Sequence, residues 1–195
     1  MGITMTPDQR ILTTASTAAV SRRDFLRLGA GAAAGLLCPA ALASLNAGPQ
    51  RSLAFYNTHT GESLETVYWA AGEYLEDGLR EINTVLRDHR ADETWPMDRN
   101  LLDLLTALQA EVNCHNPFHV ISGYRSPATN ARLRGKSSGV ARRSYHMQGK
   151  AIDLRLPGCA LADLHKAALS LKAGGVGSYA ASDFIHVDVG PVRRW

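Results

Sequence analysis

Apolar positions along this chain follow two periods, and their order sets the expected fold. Ser52 to Asn57 and Ser63 to Trp69 are rich in strand formers and flank the turn-forming Thr58-His59-Thr60-Gly61-Glu62, which predicts a β-hairpin. Leu75, Leu79, Ile82 and Leu86 recur at helical spacing with charged residues between them, predicting a helix over roughly 73–89. Leu101, Leu104, Leu105, Leu108 and Val112 form a stronger stripe, with Asp98 placed as its cap. Phe118 to Ser122 reads as a short buried strand, and Ser126-Pro127 opens a helix that runs through Leu133. Polar, basic residues from Gly135 to Gly139 then mark a loop. Ala151 to Leu156 reads as a strand stopped by Pro157-Gly158, Leu161 to Leu171 as a helix, and Phe184 to Val189 as the last strand. Gly174 to Gly177 forms a turn leading into a further strand. Helices come early and strands dominate later, which predicts an α+β domain with a mainly antiparallel sheet and flanking helices.

The first 43 residues read as an export signal. Arg22-Arg23, followed by Phe25-Leu26, precede an Ala- and Gly-rich apolar run to Leu45, and Ala41-Leu42-Ala43 supplies small residues for cleavage. Paired arginines point to the twin-arginine route, with its translocase as the partner during export. Cleavage is expected after Ala43, with Ala47 as the alternative. Gly29, Gly31, Gly35 and Pro39 interrupt the apolar run, which disfavours a stable membrane span. The remaining domain, residues 44–195, is long enough for one core.

Removing the leader changes the charge picture. It takes Arg10, Arg22, Arg23 and Arg27 and only Asp8 and Asp24, so 21 basic and 18 acidic residues become 17 and 16. A nearly neutral domain gives no footprint for nucleic acid. Two cysteines remain, Cys114 and Cys159; they either pair in an oxidising compartment or stay as free thiols.

The chemistry concentrates in Ser144-Tyr145-His146-Met147-Gln148-Gly149-Lys150-Ala151-Ile152-Asp153 and in Phe184-Ile185-His186-Val187-Asp188. Two imidazoles and one carboxylate, with no cysteine nearby, form the ligand set of a catalytic zinc site that keeps a position open. Gly149 argues against a helix between His146 and Asp153, so a loop carrying His146 is expected to fold back on a strand carrying Asp153. His186 shares a strand face with Phe184 and Asp188. An isolated core histidine would fit the His186 strand equally well.

Ser144-x-His146-x-x-Gly149-x-Ala151-x-Asp153 followed by Phe184-Ile185-His186-Val187 resembles the zinc D,D-peptidase superfamily, in particular its YcbK-like branch of murein endopeptidase K type. The 55–62 hairpin, Ser122-Gly123-Tyr124-Arg125-Ser126 and the 187–193 tail match that branch as well, so the resemblance spans residues 51–195. It implies a hedgehog/D,D-peptidase-like fold and one zinc ion per chain on His146, Asp153 and His186. The implied substrate is a peptidoglycan stem peptide or cross-link, met in the periplasm. The resemblance also implies roles beyond the metal. Asp183, three residues before His186, matches the general base of the dipeptidase branch, although aspartate is shorter than that branch's glutamate. Phe184 stands where relatives with a His-x-His ending carry a catalytic histidine. Arg125 is the implied carboxylate or oxyanion partner. Ser144 and Tyr124 are candidate substrate-binding residues, with Arg142 and Arg143 as further groove candidates. Carboxypeptidase trimming of stem peptides, or non-catalytic binding of peptidoglycan, are the alternatives.

Overall fold

The structure is a computed structural model that describes residues 49–137 and 139–195. The export leader and both cleavage points lie outside the described residues. Among the described residues, twelve strands and α-helices follow one another. They are β1 (Gln50–Asn57), β2 (Ser63–Ala70), β3 (Glu73–Tyr74), α1 (Glu76–Val85), α2 (Arg99–Glu111), β4 (Phe118–Ser122), α3 (Pro127–Arg134), β5 (Ala151–Arg155), α4 (Leu161–Leu171), β6 (Gly175–Tyr179), β7 (Phe184–Asp188) and β8 (Arg193–Arg194). The strands form one sheet in the order β3-β2-β1-β4-β5-β7-β6-β8. Its pairs are antiparallel except β1 with β4 and β6 with β8. The α+β class and the mainly antiparallel sheet therefore hold, but helices and strands interleave along the chain.

The sheet uses the period of two to separate core from chemistry. Ile152 and Leu154 on β5, and Ile185 and Val187 on β7, are fully buried in the core with Phe55, Phe118 and Val120. Leu101, Leu105 and Leu108 of α2 join them there, α2 packs on β1 and on α4, and α4 packs on β6 and β7. Asp153 and His186 lie between those core residues in sequence, so their side chains emerge on the opposite face. Cutting back one of the buried leucines, as in Leu105→Ala, is expected to cost about 2–5 kcal/mol.

Local chemistry explains the element ends. Asp98 caps α2 by accepting from Asn100 N at 2.9 Å, and Ser126 caps α3 by accepting from Thr129 N at 3.2 Å. The helix expected over 73–89 is shorter, because Ala71 (φ 53°) and Gly72 (φ 91°) turn the chain so that Glu73–Tyr74 pairs back onto β2. It stops at Val85, and Asp88 beyond it pairs its backbone with Glu93. Nor is the 184–189 strand the last one. The chain turns after it and adds β8 alongside β6, with Gly175 opposite Arg193. Cys114 and Cys159 are free thiols, both half-buried. No helix among the described residues is long and apolar enough to cross a membrane.

Candidate metal centre

Two devices bring the three ligand residues together. The first is sheet register: β5 and β7 are antiparallel and place Asp153 directly opposite His186. The second is a tight turn. Tyr145–Gln148 forms one turn of 310 helix, opened by Ser144, whose Oγ accepts from His146 N at 3.3 Å. Gly149 closes it at φ 66°, and a Cβ there would collide with the backbone carbonyl of Pro96. Glycine is needed at this position on both counts. The chain then enters β5 two residues before Asp153, so His146 is folded back over the carboxylate.

The donor atoms converge. His186 Nδ1 lies 2.9 Å from Asp153 Oδ1, His146 Nε2 lies 3.3 Å from the same oxygen, and the two ring nitrogens are 3.3 Å apart. A tetrahedral ion with bonds of about 2.0–2.1 Å spaces its ligand atoms about 3.3–3.4 Å apart. The outer ring nitrogens identify the tautomers. His146 Nδ1 sits 2.8 Å from the carbonyl oxygen of Gly123, which can only accept, so the proton belongs on Nδ1. His186 Nε2 sits 2.9 Å from Asp188 Oδ2 and is protonated for the same reason. With both imidazoles neutral, their inner lone pairs and the Asp153 carboxylate face one another in a buried place. A shared proton or a shared cation relieves that repulsion, and the separations of His146, Asp153 and His186 fit a divalent metal ion.

The electrostatics agree. Burial pushes the Asp153 carboxyl upward, but His146 and His186 outweigh it and hold the group well below the usual carboxylate range. Burial lowers the His186 imidazole, yet Asp153 and Asp188 leave it raised overall. Burial also disfavours the Asp188 charge, but hydrogen bonds from His186, Arg193, Gly190 and Gly175 depress its pKa strongly. Arg125 is mostly buried beside Asp153, with Nη2 3.2 Å from Ser122 Oγ and 3.6 Å from Asp153 Oδ2. Its Nε is buried without any partner. Arg125 also lines the cavity over the three residues, where its guanidinium can meet an acceptor that arrives with a ligand.

A cavity of about 690 Å³ opens over the three ligands. Arg125, Ser144 and Arg143 line it, as do the aromatic rings of Tyr145, Tyr179 and Trp195. Among the described residues, Asp153 is its sole carboxylate. Two residues singled out from the sequence lie elsewhere. Tyr124 is buried, donates to Glu93 Oε1 at 2.8 Å and stacks on Trp95, so it does not line the cavity. Asp183 occupies a left-handed corner (φ 51°) just before β7 and faces Arg155 at 3.3 Å, also off the lining. Arg142 is exposed away from the lining too. Asp188 was visible on the His186 face but had no partner to give it a role. Arg193 and Trp195 were not foreseen, because they reach the site through β8, a non-local pairing that leaves no periodic mark in sequence.

Comparison with known proteins agrees with this geometry. The family model described as Peptidase_M15_2, peptidoglycan L,D-endopeptidase MepK, matches residues 45–195. The peptidoglycan L,D-endopeptidase MepK of Escherichia coli K12 is 42% identical over 176 residues, covering 90% of this chain and 97% of that protein. The probable peptidoglycan L,D-endopeptidase MepK of Haemophilus influenzae is 41% identical over 178 residues, covering 90% and 95%. No solved structure gave a significant match. On the family match over residues 45–195 and this similarity over 90% of its length, the chain belongs to the Peptidase_M15_2 family, the murein endopeptidase branch of the M15-like peptidases.

Proposed function

We propose that this protein is a zinc-dependent peptidoglycan endopeptidase that cuts an L,D peptide bond in stem-peptide cross-links. The observation that carries the reading is the set of three facing lone pairs, on His146 Nε2, Asp153 Oδ1 and His186 Nδ1, at the separations of a tetrahedral ion. Relatives named for L,D-endopeptidase activity supply the bond and the polymer. Zinc at this centre would lower the pKa of a water toward neutrality and polarise a carbonyl.

The chain's own residues then have distinct tasks. His146, Asp153 and His186 hold the ion and leave the cavity side free for substrate. Arg125, on the cavity wall, offers its guanidinium to the carbonyl oxygen of the scissile bond, or to a neighbouring peptide carboxylate. Arg143 adds positive charge on the wall, which suits peptides rich in carboxylates. Ser144 keeps the 310 turn closed so that His146 cannot swing away. Asp183 is the proposed proton acceptor. To serve, it must exchange its pair with Arg155 for the attacking water. That pair is exposed and so is worth about 0–1 kcal/mol, and from its corner off the cavity lining Asp183 must also turn toward the cavity. Asp183→Asn tests the role: unchanged turnover with the metal retained would remove Asp183 from the mechanism.

Work on peptidoglycan requires an extracytoplasmic location, and Arg22-Arg23 support export by the twin-arginine route. The proposal as a whole is tested by metal analysis of the purified protein together with digestion of defined, cross-linked muropeptides. One zinc per chain, product from cleaved cross-links, and loss of both in His186→Ala support it. Full cleavage by metal-free protein would refute it.

A further inference from the structure

The structure assigns Asp188, clamped by Arg193, as the positioning residue of the metal centre: it holds His186 with the proton on Nε2 and so turns the Nδ1 lone pair toward His146 and Asp153. This inference rests on reading those three residues as a zinc site.

Asp188 has no exposed side-chain surface, and every hydrogen-bond partner it has is a donor. Oδ1 accepts from Gly175 N at 3.1 Å, from Gly190 N at 2.8 Å and from Arg193 Nη1 at 3.0 Å. Oδ2 accepts from Arg193 Nη2 at 2.6 Å and from His186 Nε2 at 2.9 Å. With backbone and guanidinium N–H donors on both its oxygens, this carboxylate presents an acceptor to His186 Nε2, which selects the Nε2–H tautomer. The two-pronged contact with Arg193 also fixes the plane of the carboxylate, and with it the plane of the imidazole.

The site is built for this contact. At Gly175 a Cβ would lie 2.5 Å from both Asp188 Oδ2 and Arg193 Nη1, so the backbone of β6 approaches as closely as only glycine permits. Arg193 is delivered by β8 in register with Gly175. Its guanidinium lies between two cavity walls, 5.3 Å from the Tyr145 ring centre and 5.0 Å from that of Trp195. The segment Gly190–Trp195 is thus a strap that ties the far side of His186 to the edge of the sheet. Carboxylates that accept from the outer nitrogen of a metal-bound histidine commonly change metal affinity 10–100-fold when removed.

The test uses the full chain and two readouts. Zinc affinity is measured by competition with a chelator for the wild type, Asp188→Ala, Asp188→Asn and Arg193→Lys. Nitrogen-15 spectra of His186 are recorded on metal-free protein at about pH 9, where a free imidazole is neutral. The expected results are Nε2-protonated His186 in the wild type, about 10–100-fold weaker zinc binding in Asp188→Ala, and partial rescue in Asp188→Asn, whose amide oxygen still accepts. Arg193→Lys keeps the charge but loses the fork, and should weaken binding less than Asp188→Ala. Unchanged zinc affinity in Asp188→Ala, or Nδ1-protonated His186 in the wild type, would overturn the assignment. If Asp188→Ala does not fold, Asp188→Asn and Arg193→Lys decide: two affinities equal to the wild type overturn it. If the wild type bound no zinc, the metal reading itself would fall. The wild-type tautomer would then still decide the clamp, upheld by a proton on Nε2 and overturned by one on Nδ1.

Discussion

Two carboxylates, Asp103 on α2 and Asp153 on β5, look alike in sequence and sit in opposite kinds of surroundings. Asp103 accepts from the hydroxyl of Tyr68 at 2.9 Å, the hydroxyl of Tyr74 at 2.7 Å and Nη1 of Arg51 at 2.6 Å. Every contact is donor to acceptor, and the cluster is complete as it stands. Asp153 faces two ring nitrogens whose protons are engaged on their far sides, by the Gly123 carbonyl and by Asp188. A finished polar cluster locks β1, β2 and β3 to a helix. An unfinished one, with its inner acceptors facing one another, marks the candidate metal site. The same contrast separates Arg51, whose pKa is raised chiefly by its hydrogen bond to Asp103, from Arg125, whose pKa is lowered mainly by burial and whose Nε has no partner.

The comparison breaks most visibly at the proposed metal ligands. Asp153→Asn removes the anionic ligand, and zinc content and muropeptide cleavage should both fall to background while the fold survives; metal analysis and circular dichroism check this. If zinc stayed bound, Asp153 would belong with Asp103 as a structural group. Arg125→Ala should lower kcat/KM about 10²–10³-fold with zinc retained. Arg125→Lys should recover little, because a point charge does not reproduce the fork. Those kinetics separate a ligand-facing donor from a buried structural one.

Asp103→Asn should do the reverse. It should lower stability by about 1–2 kcal/mol in denaturant melts and leave kcat/KM of the folded enzyme unchanged. The smallest effect is its dependence on pH. Burial raises the Asp103 pKa, but hydrogen bonds from Tyr74, Arg51 and Tyr68 outweigh this and leave it depressed. A depressed carboxyl contributes stability above its unfolded value of about 3.9 and loses it as pH falls through the folded value. The gap between wild type and Asp103→Asn should therefore be full at neutral pH and close progressively below about pH 4. A gap that widened in acid would contradict the cluster as drawn.

How much of this was readable from the chain follows the range of the interactions. His146 and Asp153 lie seven positions apart in one turn-to-strand unit, and Gly149 announces that turn, so the pair was visible locally. His186 was visible because its strand alternates cleanly, Ile185 and Val187 to the core and His186 to the other face. Tyr124 and Asp183 show the limit. Their positions followed from neighbouring motifs, but the directions of their side chains depend on Glu93, Trp95 and Arg155, which come from other elements. Strand β3 escaped notice because Leu75 shares the helical period of α1, while the left-handed Ala71-Gly72 turn overrides it. The Arg193 strap escaped for a stronger reason. Its meaning lies in a parallel pairing of two residues with β6, and a two-residue strand has no period.

Titration of zinc into the metal-free protein, followed by the nitrogen-15 shifts of the histidine rings, tests the central claim most directly. The expected result is saturation at one zinc per chain, with large shifts at His146 Nε2 and His186 Nδ1 and none of that size at His59, His89, His115, His119 or His165. Saturable binding that moved other nitrogens, or no saturable binding at all, would contradict it.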